Sequence, residues 1–114
     1  MKISSYKTLF VVIRSKGKSW EEGKPMNLQN GWAEHAAFMN QLAEEEFILL
    51  GGPIGKNSDI MLIINASDEK EITERLGLDN WSRMKILEIK DIKPWTILLQ
   101  PEHKSNVNKL KKRD

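Results

Sequence analysis

A chain of 114 residues, 39% hydrophobic and 30% charged, is sized for a single domain with one core, and is small enough that pairing with a second copy would help it. It holds no cysteine, which excludes disulfide frameworks, thiolate metal sites and cysteine nucleophiles together, and no apolar run approaches the ~20 residues of a membrane-spanning helix. The formal charge of +2 is unevenly placed: residues 101–114 carry a net +3, leaving −1 for the other 100, so the basic pI belongs to a tail and nucleic acid is not expected as a partner.

Met1 to Tyr6 is too polar for a secretion signal, so a cytoplasmic protein is expected. Thr8 to Arg14 is short and rich in β-branched and aromatic residues, which predicts a buried strand with Arg14 at its end. The arginine has two readings there, a two-pronged grip on a substrate carboxylate or an ordinary strand-end charge. Ser15 to Gln29 is a loop long enough to suggest a lid, with Trp20 and Met26 giving it something to bury. Asn30 is suited to cap the helix that follows, in which Trp32, Phe38, Met39 and Leu42 stand at offsets of three, four and seven residues from His35. All five share one stripe, so an imidazole is aimed at the interior along with the packing face. It must find a hydrogen-bond partner, because an unpaired buried polar group costs about 1–3 kcal/mol. A backbone carbonyl would leave His35 a packing residue, and only residues elsewhere in the chain decide between that and a chemical role.

Phe47 to Leu50 predicts a second strand, brought to a stop by Gly51, Gly52 and Pro53. Ile54 to Asp59 carries hairpin-turn chemistry and Ile60 to Asn65 a third strand. Asp68 with Glu71 makes a capping-box pattern, Ile72 and Leu76 give a narrow apolar face, and Gly77 ends that second helix. Leu78 to Trp81 then reads as a connector, Met84 to Ile92 as a fourth strand interrupted by Pro94, and Trp95 to Leu99 as a short extra strand at an edge. The order is βαββαβ with an additional C-terminal edge strand, the ferredoxin-like α+β arrangement, over residues 1–100 with a basic, mobile tail at 101–114. Both helices on one face would leave the other bare, and strands as apolar as Ile60 to Ile64 cannot face water, so a homodimer with packed sheets is expected.

Taken singly, the other candidates have bland readings too. Asp79 reads equally as a turn residue and as a catalytic acid. Trp32, Trp81 and Trp95 suit a core or a dimer contact more often than the wall of an apolar pocket. Gly52 and Pro53 are a turn first and a ligand-facing wall second. No serine stands in a nucleophile elbow, and there is neither a Walker pattern nor a dinucleotide fingerprint. Two histidines in all, with His103 in the tail, do not make a metal site, so no metal or cofactor is expected. Lys109, Lys111, Lys112 and Arg113 read as a solvated terminus rather than a phosphate site.

Several of these residues fall together in a pattern. The strand ending in Arg14, Trp32-Ala-Glu-His35-Ala-Ala-Phe38-Met39 with Leu42, Leu50-Gly-Gly-Pro53, Asp79-Asn80-Trp81 and Ile92-Lys-Pro94-Trp95 resemble the YCII-related domain family, one of the dimeric α+β barrels, over about residues 7 to 99. The resemblance implies a ferredoxin-like dimer with an active site built on a histidine–aspartate dyad, which maps onto His35 and Asp79. Asn80 stands where the family usually has proline, and Arg83 and Met84 occupy the region of a missing glycine. A carboxylate bonded to one ring nitrogen would set the tautomer of the imidazole and free the other nitrogen to take or give a proton.

The leading expectation is a small cofactor-free enzyme in which His35, oriented by Asp79, moves a proton on a small anionic organic molecule, with Arg14, Trp32, Gly52, Pro53 and Trp81 around the substrate. Isomerase, lyase or dehalogenase chemistry would suit it, the last because the resemblance includes a dechlorinating relative. The alternative is a dimeric module that binds a small ligand in the same pocket without turnover.

Overall fold

The computed structural model describes residues 8–56 and 59–101. Among them four strands, β1 (Leu9–Lys16), β2 (Ile48–Ile54), β3 (Asp59–Asn65) and β4 (Leu87–Trp95), form one antiparallel sheet in the order β2-β3-β1-β4. Helix α1 (Trp32–Glu44) joins β1 to β2, while α2 (Glu69–Gly77) and a one-turn α3 (Asn80–Arg83) join β3 to β4. This is the ferredoxin-like α+β fold.

Side chains alternate across a strand, and the alternation decides where the core lies. Phe10 and Val12 of β1 with Ile60, Leu62 and Ile64 of β3 point to the helices and are buried against Leu42 of α1, Ile72 and Leu76 of α2 and Trp81 of α3. Arg14 continues the same alternation, so a guanidinium enters the core where an aliphatic side chain would be routine. It stands at a bulge: the β1–β4 register slips between Ile13, opposite Asp91, and Arg14, opposite Ile89.

Several boundaries differ from expectation, each for a physical reason. Gly51, Gly52 and Pro53 do not stop the second strand, which pairs with β3 as far as Ile54. The strand is at the sheet edge, where proline can do without an N–H on its outer side, and Gly51 is needed for packing, since a Cβ would come 2.7 Å from Leu62 Cδ2. Pro94 likewise does not interrupt; it sits inside β4, opposite Phe10, on the other edge. The additional strand expected at Trp95 to Leu99 is therefore absent among the described residues: Trp95 ends β4, and residues 96–101 are neither strand nor helix. Asp68 caps α2 as expected, accepting from Glu71 N at 2.9 Å, but Gly77 is its last helical residue and Leu78 the cap. Leu78 to Trp81 is not a plain connector, because Asp79 caps α3 by accepting from Trp81 N at 3.2 Å. The loop expected as a lid is knit to itself, Gln29 bonding Glu21 and Lys24 main-chain groups at 2.8–2.9 Å. The basic tail, beyond Pro101, lies outside the described residues.

Candidate functional site

Local geometry at two helix starts brings the site together. At α1 the residue before the helix is Gly31, in the left-handed region at φ 75°, and not a side-chain cap from Asn30. A Cβ at Gly31 would come within 2.5 Å of Asn80 Nδ2, so the position demands glycine on two counts. The Gly31 carbonyl accepts both the His35 main-chain N–H at 3.0 Å and Asn80 Nδ2 at 3.1 Å. The Asn30 carbonyl accepts the Trp81 indole N–H at 2.6 Å. These bonds clasp the first turn of α1 to α3, and so set His35 over Trp81 and beside Asp79.

The imidazole lies flat on the Trp81 indole, with ring centroids 3.9 Å apart and planes 7° from parallel. Trp32 leans against both rings, at 5.9 and 5.8 Å, and Trp20 meets Trp81 edge-on at 6.2 Å. His35 Nδ1 is 2.9 Å from each carboxylate oxygen of Asp79. Asp79 is wholly buried, and its Oδ2 also accepts from Arg14 Nη1 at 2.9 Å. Arg14 Nη2 donates to Ser82 Oγ at 2.8 Å, and Ser82 Oγ donates to the Leu76 carbonyl at 2.7 Å.

Charge follows from these contacts. Burial works against the Asp79 carboxylate, but the hydrogen bond and charge of His35 and the charge of Arg14 outweigh it and hold the carboxyl below the usual carboxylate range. Burial in turn pulls the Arg14 guanidinium below its ordinary value while Asp79 opposes that shift, and an arginine so paired keeps its proton. An ionised Asp79 only accepts, so the proton between it and the ring is on Nδ1, and Nε2 is the ring nitrogen that the carboxylate does not engage. Nε2 makes no hydrogen bond to any described residue.

His35 forms part of the wall of a cleft of about 370 Å³ between α1 and the sheet. Trp32, Arg14, Gly52 and Pro53, all singled out in the sequence, line it as well. Trp81 does not; it is fully buried beneath the imidazole, and Asp79 lies behind the ring too. Trp95, at the end of β4, is also away from the cleft. Sequence reasoning missed Ser82, which carries no signal beyond lying three residues after Asp79, and Met26, Met39 and Leu50 as walls. Met39 was legible as a member of the His35 stripe. A histidine on a cleft wall, bonded through Nδ1 to a buried carboxylate able to stabilise an imidazolium, is an arrangement that can take or give a proton.

No family model matches the chain, and no curated protein matches it. A solved structure does: 5-chloro-2-hydroxyhydroquinone dehydrochlorinase from Burkholderia phenoliruptrix, in complex with 2,5-dihydroxybenzoquinone, is similar at 22% identity and a TM-score of 0.54 over 77% of this chain and 93% of that one. The likeness is one of fold.

Proposed function

We propose that this protein is a small-molecule enzyme of the YCII-related type, in which His35 is a general acid and base oriented by Asp79. The observation that carries the proposal is the 2.9 Å approach of His35 Nδ1 to both oxygens of a buried, ionised carboxylate, with the same ring on the cleft wall. His35 Nε2 takes a proton from the substrate, leaving the bonding pair on it; Nδ1–H stays bonded to Asp79, and Trp81 offers the new imidazolium the face of its indole. Return of the proton to a different atom is isomerisation. Where that pair instead forms a double bond to the neighbouring atom as a group there leaves with its own bonding pair, the step is elimination, and with chloride leaving it is the dehydrochlorination for which the similar structure is named. Neither sequence of steps needs a cofactor. Asn80, which replaces the proline usual after the family's aspartate, supports the dyad here by tying Gly31 to α3.

Arg14 serves within this reading as the partner that keeps Asp79 ionised, since both its Nη atoms are engaged internally. Trp32, Gly52 and Pro53 form the substrate wall, and the active species is a homodimer. The test is solvent-deuterium exchange into a panel of small carbon acids, followed by proton NMR. The wild-type protein is expected to accelerate exchange at one or more acidic C–H positions, and His35→Gln to lose about 10²–10⁴ of that rate. Equal exchange by both proteins would remove His35 from the chemistry.

A further inference from the structure

An arginine facing a carboxylate ordinarily gives it two parallel N–H bonds, one to each oxygen. Arg14 does not. Its Nη1 donates to Asp79 Oδ2 at 2.9 Å, its Nη2 is turned to Ser82 Oγ at 2.8 Å, and its Nε, though buried, has no partner among the described residues. Asp79 Oδ1 is thereby left to the Trp81 main-chain N–H at 3.2 Å, and both carboxylate oxygens stand 2.9 Å from His35 Nδ1. Resting on the reading of His35 as the acid and base, we infer that Ser82 is a positioning residue for that chemistry. Its hydroxyl holds Arg14 to a single oxygen of Asp79 and so keeps the carboxylate available to the ring.

The hydroxyl is fixed in this role by its surroundings. Ser82 Oγ donates to the Leu76 carbonyl, near the end of α2, so its proton is committed and Arg14 meets its lone pairs. The same carbonyl accepts the Asp79 main-chain N–H at 3.1 Å, and Ser82 N donates to the Asp79 carbonyl at 3.0 Å. Both acceptors of Arg14 therefore belong to one turn, and their spacing sets how the guanidinium lies. Without the hydroxyl, Nη2 becomes a buried donor with no partner, which is unfavourable, and the remedy its fork allows is the two-pronged grip on Asp79. A carboxylate held by two N–H groups of a cation lends less of its charge to the ring, so an imidazolium at His35 is less stabilised. The titratable groups around that ring are few. Arg14 of β1 and His35 itself are the sole ones among the described residues lining the cleft, Asp79 lies behind the ring, and Glu34 beside it on α1 is exposed and paired with Arg83 of α3 at 3.8 Å.

The test follows the His35 ring protons by NMR against pH in the full-length protein. The chain has a second histidine, His103, and comparison with His35→Gln assigns the two. In Ser82→Ala the His35 midpoint is expected to fall by about 0.5 unit or more, and the rate of deuterium exchange by ~10-fold. Ser82→Thr keeps the hydroxyl and is expected to restore both, which a role in packing alone would not produce. If Ser82→Ala lacks the wild-type circular dichroism, Ser82→Cys takes its place, since sulfur is of similar size and a weak acceptor. An unchanged or raised midpoint in the variant without the hydroxyl, or a threonine variant that falls as far, would overturn the inference. If exchange still depends on His35 in those cases, the base survives and the role of Ser82 alone falls; if exchange is indifferent to His35, the reading beneath it falls and takes the positioning role with it.

Discussion

Asp79 carries more of this site than any other residue. One carboxylate holds the His35 tautomer, neutralises Arg14 and caps α3, and all of it is sealed from solvent. Removing its charge alone leaves a buried guanidinium without an anion, so Asp79→Asn should cost about 3–5 kcal/mol in urea unfolding at neutral pH. The pH dependence has a definite sign. The folded carboxyl titrates below its unfolded value of ~3.9, so its contribution is complete above that value and is lost as the pH falls through the lower folded one. Unfolding midpoints measured from pH 6 downward should fall in the wild-type protein and fall less steeply in Asp79→Asn; parallel curves would show that Asp79 is not the linked group. At this scale the inward histidine was legible, because its helical spacing to Trp32, Phe38, Met39 and Leu42 needs no tertiary information. The engagement of Arg14 was not, because Asp79 is 65 residues away in the chain.

At the level of elements, α1 and α3 end in the same way. After α1, Phe47 N bonds the Leu42 carbonyl and Glu46 N the Ala43 carbonyl, each at 3.0 Å, with Glu46 left-handed at φ 62°. After α3, Ile86 N bonds the Trp81 carbonyl at 3.0 Å and Lys85 N the Ser82 carbonyl at 3.3 Å, with Lys85 at φ 63°. These are Schellman endings, each with the usual apolar pair, Leu42 with Phe47 and Trp81 with Ile86, buried in the core. Both put an exposed charged residue where glycine is favoured. Glu46→Gly and Lys85→Gly are each expected to stabilise the fold by up to about 1 kcal/mol, the relief of the left-handed strain outrunning the extra entropy of unfolded glycine. Thermal melts check this, and a rise of roughly 4–8 °C per kcal/mol is the scale for a domain of this size. The missing glycines are also why α3 was unreadable: a single turn has no periodicity, and its ending has none of the usual residues.

In the whole molecule, the helices among the described residues cover one face of the sheet, and on the other Leu9 and Ile63 are buried while their neighbours are less so. Val11, Ile13 and Met61 alternate away from the helices and are half-buried. The homodimer proposed above would place a second copy there. Ile13→Lys sets a cation opposite Asp91 on β4, a pairing the monomer tolerates, while burying a charge in any sheet-to-sheet contact. Sedimentation should give a dimer for the wild-type chain and a monomer of unchanged circular dichroism for the variant; a dimer in both would move the interface elsewhere. What the sequence determined by itself is the four strands of the sheet, though not the absence of a fifth at Trp95 to Leu99, with the two longer helices and the inward aim of His35, because periodicity is a local property that each segment carries alone. The tertiary structure decided that β2 could hold Gly51, Gly52 and Pro53, and β4 could hold Pro94, since only sheet order reveals which strands are edges. It also decided that Arg14, His35 and Asp79 meet, and that Trp81 underlies the ring rather than lining the cleft. Those contacts join three elements across the core, and no spacing along a chain encodes a distance through it.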